Sequence, residues 1–266
     1  SIIGFTGGEP LIRSDICDII KNIDNRSIST IFTSGINLTL NKAIELKEAG
    51  LFSLGISIDS NFNLSKKFNI ALKAIRNSVI ANLYTCVHIV VIKKDINEAN
   101  LINLFTYLRE MGVNEIRLFE PIYSGNLVNN SKAMDIVFNY DDRQEMLRIQ
   151  ELANRKIKSL KVSADFWSES KFKLGCNAGI LHSYISSTGY LFPCDFVPLS
   201  FGNVLEEPIS ELYIKLRDKI KFSKTSCMAQ KFNRKFMEYD LPIYTSVNID
   251  DIIYDVDIPE VYKRLR

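Results

Sequence analysis

The sequence predicts an α/β protein: a parallel sheet with helices outside it over residues 1–160, then a small α+β domain over residues 161–266. Three observations predict this. Short apolar runs alternate with helical patterns through five strands in the first 160 residues. The run "YTCVHIVVI" (84–92) reads as wholly apolar, as a strand covered on both faces would be. Past residue 160 the helical periodicity lapses, and "CNAGILHSYISSTGYLFPCDFVPLSFGNV" (176–204) is rich in Gly, Ser, Pro and aromatic residues. Alternation alone leaves open whether the sheet closes into a barrel.

The elements follow in order. "SIIGF" is a strand, and "SDICDIIKNI" is a helix with Ile16, Ile19, Ile20 and Ile23 on one face and Ser14 as its N-cap. "STIFT" (29–33) is the second strand. "LNKAIELKEAG" is a helix stopped by Gly50, and "LFSLGISID" (51–59) is the third strand. "KKFNIALKAIRN" turns Phe68, Ala71, Leu72 and Ile75 inward. After the 84–92 strand, "EANLINLFTYLREMG" is a helix ending at Gly112, and "EIRLF" (115–119) is the fifth strand. "YDDRQEMLRIQELANR" (140–155) is a helix with Asp141 and Asp142 at its positive end. "EAGLFSL" and "EMGVNEI" both run from a helix end through Gly into a strand, which marks a repeating strand–helix unit. In the second domain "SYIS" and "YLF" flank "STG" as a β-hairpin, and "EEPISELYIKLRDKI" (206–220) is an amphipathic helix.

Bulk composition excludes several classes. Hydrophobic residues are 46% and charged residues 24% of 266, ordinary for a globular protein. A net charge of +2 is too small to argue for nucleic acid or an anionic membrane as partner. No apolar run is long enough to span a bilayer. Five cysteines are an odd, sparse set for a secreted disulfide framework, and they predict cytoplasmic thiols or metal ligands. The chain opens on Ser inside a strand, so the natural N-terminus is expected upstream.

Two segments carry chemistry. In "IIGFTGGEPL" a strand stops at Gly7 and Gly8, with Glu9 and Pro10 directly after. Glycines let the backbone turn sharply or lie against a ligand, and Pro10 keeps Glu9 out of the helical region. The segment is either a tight strand-to-helix turn or a ligand rest at the C-terminal end of a parallel strand. The second segment is C-x12-G-x4-C, made by Cys176, Gly189 and Cys194. A hairpin between the cysteines brings its flanks together, and Cys227 can fold back onto them. Converging thiolates suit a soft metal or an iron–sulfur cluster, with zinc as the other metal and three buried cysteines as the bland reading. His182, just before the hairpin, is a candidate fourth ligand. Cys17 and Cys86 read as core. His88 reads as a hydrogen-bonded core histidine. Ser57, Asp59 and Glu120 stand at strand ends, where site residues and turn caps both gather.

Taken together, "FTGGEPL", "ISIDS", "RLFEPIYSG" and "GCNAG…SSTGYLFPCDF…FGNV" resemble the radical S-adenosylmethionine superfamily, in the branch with a C-terminal SPASM or twitch domain. The resemblance implies a partial (β/α)6 barrel lacking its first strand–helix unit. It implies that Gly7, Gly8, Glu9 and Pro10 hold the amino group of S-adenosylmethionine. Ser57 and Asp59 match the region contacting ribose and carboxylate, Ser34 stands where the family often has Asn, and Glu120 matches a position near the adenosine. Cys176, Cys194 and Cys227 match ligands of one auxiliary iron–sulfur cluster. The C-x3-C-x2-C that holds the family's catalytic 4Fe–4S cluster is not in these residues, so this chain alone is expected to be inactive. The implied reaction is reductive cleavage of S-adenosylmethionine to a 5′-deoxyadenosyl radical that abstracts hydrogen. The implied partners are a peptide or small-molecule substrate and a flavodoxin- or ferredoxin-type reductant. No catalytic residue is assigned. The alternatives are a non-catalytic binding relative and an unrelated zinc-stabilised protein.

Overall fold

The computed structural model describes residues 1–59, 65–168, 175–220 and 227–244. The chain divides into two compact units, Ser1–Pro121 with Phe138–Asp165, and Ile122–Val137 with Phe166–Arg266. The expected boundary at 160–161 falls at the start of the first unit's last strand, and residues 122–137 group with the second unit. No helix among the described residues is long and apolar enough to cross a membrane.

In the first unit β1 (Ile2–Phe5), β2 (Ile28–Thr33), β3 (Ser53–Asp59), β4 (Tyr84–Val90), β5 (Glu115–Phe119) and β6 (Lys161–Ala164) form one parallel sheet in chain order. Between them run α1 (Ile16–Lys21), α2 (Leu40–Glu48), α3 (Lys66–Ile80), α4 (Glu98–Glu110) and α5 (Tyr140–Lys156). Thr39, Ser65 and Asn97 cap α2, α3 and α4 by accepting backbone N–H groups. Asn139 and Asp142 make a reciprocal capping box on α5. Gly50 and Gly112 follow α2 and α4 with φ of 97° and 93°, a conformation that costs glycine little. Ser14 does not cap α1. Asp15 holds that position and makes no side-chain capping bond, because Arg13 takes its carboxylate through Nε and Nη2.

The faces of the sheet differ. Leu54, Ile56, Val87, Ile89, Ile116 and Leu118 are fully buried, as are Ile75, Leu101, Phe105 and Ile149 on the helices. The other face is polar. Tyr84 Oη donates to Glu115 Oε2 at 3.0 Å, Lys161 lies 3.0 Å from Glu115, and Arg117 makes a two-pronged pair with Asp165. His88 stands among these groups, between the rings of Phe32 and Phe119. The 84–92 run is therefore not a strand with two apolar faces. Tyr84, Cys86 and His88 alternate onto the polar side, and their apolar atoms disguise it in sequence. The sixth strand is a correction to the expected five. "KVSA" is too short and too polar to signal itself, and Asn154 of α5 pins it by bonding both N–H and C=O of Val162. Among the described residues β1 and β6 do not pair, so the sheet has two edges.

The chain leaves β6 through α6 (Asp165–Ser168). In the second unit β7 (Tyr184–Ile185) and β8 (Leu191–Phe192) make the expected antiparallel hairpin. β9 (Leu199–Ser200) pairs in parallel with β10 (Ile243–Tyr244). Two helices, α7 (Ile209–Lys219) and α8 (Met228–Phe236), pack Leu212, Leu216 and Phe232 into a core with Leu191, Phe201 and Cys176. Gly189 turns the hairpin at φ 89°, and a Cβ there would sit 2.3 Å from Asn203 Oδ1. Asn203 uses that closeness, donating to Thr188 O and accepting from Leu205 N. The segment "NIDDIIYDVDI" (248–258) lies outside the described residues.

Candidate functional site

In a parallel sheet all C-terminal strand ends lie along one edge, so the fold itself gathers residues that follow different strands. Gly7, Gly8, Glu9 and Pro10 follow β1, Ser34 follows β2, Ser57 and Asp59 close β3, and Glu120 follows β5. The turn after β1 is open above its glycines. Gly7 has φ 123°, and a Cβ on Gly7 or Gly8 would meet nothing within 4 Å. That leaves bare peptide for a ligand to approach. Pro10 begins a single 3-10 turn, Pro10–Ile12, and is buried beneath it.

Glu9 ties this turn to β2. Its Oε1 accepts from Leu11 N at 3.2 Å and from Thr33 Oγ1 at 2.6 Å. Its Oε2 accepts from Ser34 N at 3.0 Å and Ser34 Oγ at 2.7 Å. A carboxylate has about four lone-pair sites, and all four are used here. Glu9 thus fixes the turn, and its carboxylate has no lone-pair site left over for a ligand. Thr33, whose hydroxyl also accepts from Gly35 N, was not among the residues singled out from sequence. A hydroxyl at a strand end carries no signal of its own.

Ser57 and Asp59 are exposed at the end of β3. Glu120 is engaged: Arg143 Nε donates to Oε2 at 2.7 Å and Nη2 to Oε1 at 3.1 Å, with the Glu120 side chain only 9% exposed. Burial raises the Glu120 carboxyl above its ordinary range, against the opposing pull of Arg143. The structure bonds Glu9 to Ser34, beside the turn made by Gly7, Gly8 and Pro10. It leaves Ser57 and Asp59 along the same strand-end edge and locks Glu120 into an ion pair.

In the second unit Cys176 pairs with Cys227, while Cys194 groups with His182 and Asp195. Cys227 stands at the N-cap of α8 and interacts with Cys176. That interaction lowers the Cys176 thiol, against burial, and pushes Cys227 up. Backbone N–H groups of Met228 and Ala178 also favour the Cys176 thiolate. Cys194 is raised by burial and by the charge of Asp195, and its Sγ donates to Asp195 Oδ1 at 3.1 Å. The same oxygen lies 3.5 Å from His182 Nε2. Ligand atoms of His182, Cys194 and Asp195 all lie within 4.8 Å of one another. Cys176 is close enough to feel the charges of both His182 and Cys194. Three thiols and an imidazole are a donor set for zinc or iron, and a poor one for hard cations. Asp195 went unnoticed in the sequence, although it directly follows a cysteine.

The other two cysteines stay apart from this group in their bonding. Cys86 is buried in β4 and its thiol is pushed up to about 12, mainly by burial. Cys17 is only half-buried, not core, and Lys42 Nζ reaches its Sγ at 3.6 Å.

No family model matches the chain. It is 24% identical over 249 residues to the AdoMet-dependent heme synthase of Methanosarcina barkeri, spanning 82% of this chain and 71% of the relative. It is 35% identical over 152 residues to the GTP 3′,8-cyclase of Limosilactobacillus fermentum, spanning 52% of this chain and 45% of that enzyme. In fold it is similar to Streptococcus suis SuiB bound to S-adenosylmethionine, with TM-score 0.66 at 15% identity over 91% of this chain and 64% of SuiB. It is also similar to anSMEcpe with bound AdoMet, with TM-score 0.61 at 16% identity over 82% of this chain and 65% of that one.

Proposed function

Because the chain belongs to the radical S-adenosylmethionine superfamily, we propose that its first unit holds S-adenosylmethionine at the Gly7–Pro10 turn and that its second unit carries one auxiliary iron–sulfur cluster. The observation that carries this reading is the Glu9 lock. It holds a two-glycine turn open at the C-terminal end of β1, with unobstructed space above it. Peptide carbonyls of Gly7 and Gly8 accept the cofactor's ammonium, and Glu9 positions them. Ser57 and Asp59 meet its ribose and carboxylate end, and the backbone beside Glu120 meets the adenosine.

When bound, a reduced 4Fe–4S cluster supplies the electron that cleaves S-adenosylmethionine to a 5′-deoxyadenosyl radical for hydrogen abstraction from substrate. The C-x3-C-x2-C ligands of that cluster are not among these 266 residues. What these residues contribute is cofactor position, a polar sheet face and the auxiliary centre on Cys176, Cys194 and Cys227. A flavodoxin- or ferredoxin-type protein supplies the electron. The substrate class is a peptide: SuiB is known with a bound precursor peptide and anSMEcpe with bound peptides, and both share this fold. A small molecule is the second class, favoured by the sequence likeness to a heme synthase.

The test is equilibrium binding of S-adenosylmethionine to the anaerobically reconstituted chain, with iron and acid-labile sulfide measured on the same sample. Saturable binding that Glu9→Ala weakens, together with iron and matching sulfide, is the expected result. Binding unaffected by Glu9→Ala would remove the turn as the cofactor site.

A further inference from the structure

We propose that His182 supplies the fourth protein ligand of the iron–sulfur centre on Cys176, Cys194 and Cys227, with Asp195 holding its ring. The inference rests on the reading that these thiols carry such a centre. Three cysteines leave one iron without a protein ligand, and the two remaining cysteines are engaged elsewhere, in β4 and against Lys42.

Local structure brings His182 to the thiols. The N–H groups of Ile180, Leu181 and His182 all donate to Asn177 O, which curls residues 177–182 into a closed turn. Gly179 N donates both to His182 O and to Pro193 O, each at 2.8 Å. The first bond returns His182 to the neighbourhood of Cys176, and the second stitches the turn to the residue before Cys194. Gly179 makes this possible at φ 74°, packed against Ile220 and Leu216. The result is the cluster of His182, Cys194 and Asp195 ligand atoms described above.

Chemistry separates the two non-thiol donors. A neutral imidazole suits iron beside thiolates better than a hard carboxylate does. Metal-bound histidines commonly give their second ring N–H to a carboxylate, and Asp195 Oδ1 already faces His182 Nε2. On assembly the three thiols lose their protons and the imidazole enters neutral.

The experiment uses the 266-residue chain reconstituted anaerobically with ferrous iron and sulfide, labelled with 15N-histidine. Pulsed electron paramagnetic resonance of the reduced centre reads metal-bound nitrogen. The chain has two histidines, so a coupling that His182→Ala abolishes belongs to His182. The expected result is iron with matching sulfide, a coupling that responds to the label, and its loss in His182→Ala. His182→Cys should keep the iron, lose the coupling and lower the midpoint potential, since histidine ligation raises it. The His182 side chain is 53% exposed, so both variants should fold. Iron and sulfide with no histidine coupling, or with a coupling that survives His182→Ala, would overturn the ligand assignment and leave the cluster standing. Zinc without sulfide, or no metal, would instead overturn the cluster itself.

Discussion

The carboxylate of Glu9 accepts the hydroxyl of Thr33 at 2.6 Å, joining the ends of two neighbouring parallel strands. Hydrogen bonds to a charged acceptor contribute about 1.5–3 kcal/mol each, less where water competes. Glu9→Gln replaces one oxygen by an NH2 that faces donors. It is expected to destabilise the first unit by about 2 kcal/mol and to weaken S-adenosylmethionine binding as the turn loosens. Urea unfolding and binding on one preparation check both. Weak binding at unchanged stability would make Glu9 a direct ligand instead.

His88 sets a pH dependence. Burial first, and then the charge of Arg117, lowers its pKa from 6.5 to about 4, while Glu115 pulls the other way. The folded state keeps the ring neutral, and the unfolded chain protonates it below pH 6.5. Stability is therefore full above pH 6.5 and falls as pH drops toward 4, by about 3 kcal/mol across that window. His88→Gln should flatten this part of the stability–pH curve relative to the parent. An unchanged slope would place the titration elsewhere.

Arg143 and Glu120 are coupled unequally. The arginine reaches solvent, and the glutamate is nearly buried. Arg143→Met leaves a buried carboxylate without its partner and should cost about 3 kcal/mol at neutral pH. Adding Glu120→Gln should recover part of the loss. A double-mutant cycle with no coupling would show that solvent already screens the pair.

Cys194→Ala should lower iron and sulfide content, whereas Cys86→Ala should leave both unchanged. Full iron retention in Cys194→Ala would remove that thiol from the ligand set.

Gly189→Ala forces a Cβ to within 2.3 Å of Asn203 Oδ1 at a positive φ. The hairpin should lose about 2 kcal/mol, and metal content should fall with it because the turn spaces Cys176 from Cys194. Normal metal content in this variant would show that the cysteines are placed without the hairpin.

The long, periodic elements were legible. α3, α4 and α5 show their helical periodicity in sequence, though not their caps Ser65, Asn97 and Asn139, and Gly50, Gly112 and Gly189 stand where positive φ is needed. β6 was not legible, because its pairing with β5 depends on Lys161 reaching Glu115 of β5 and on Asn154 of α5, partners that lie outside the strand itself. The polar face of β4 was hidden by a run whose polar members, Tyr84, Cys86 and His88, also have apolar bodies.

The same division runs through the sites. Sequence alone determined that a two-glycine turn with Glu9 ends a strand, and that Cys176 and Cys194 flank a hairpin, because turns and hairpins are specified by neighbouring residues. Only the tertiary structure decided that Glu9 is saturated by Thr33 and Ser34, that Arg143 claims Glu120, and that Cys227 and His182 join the thiols. Those partners lie far apart in the chain or across a turn whose closure depends on backbone bonds. Which acceptor a donor reaches is set by how whole elements pack.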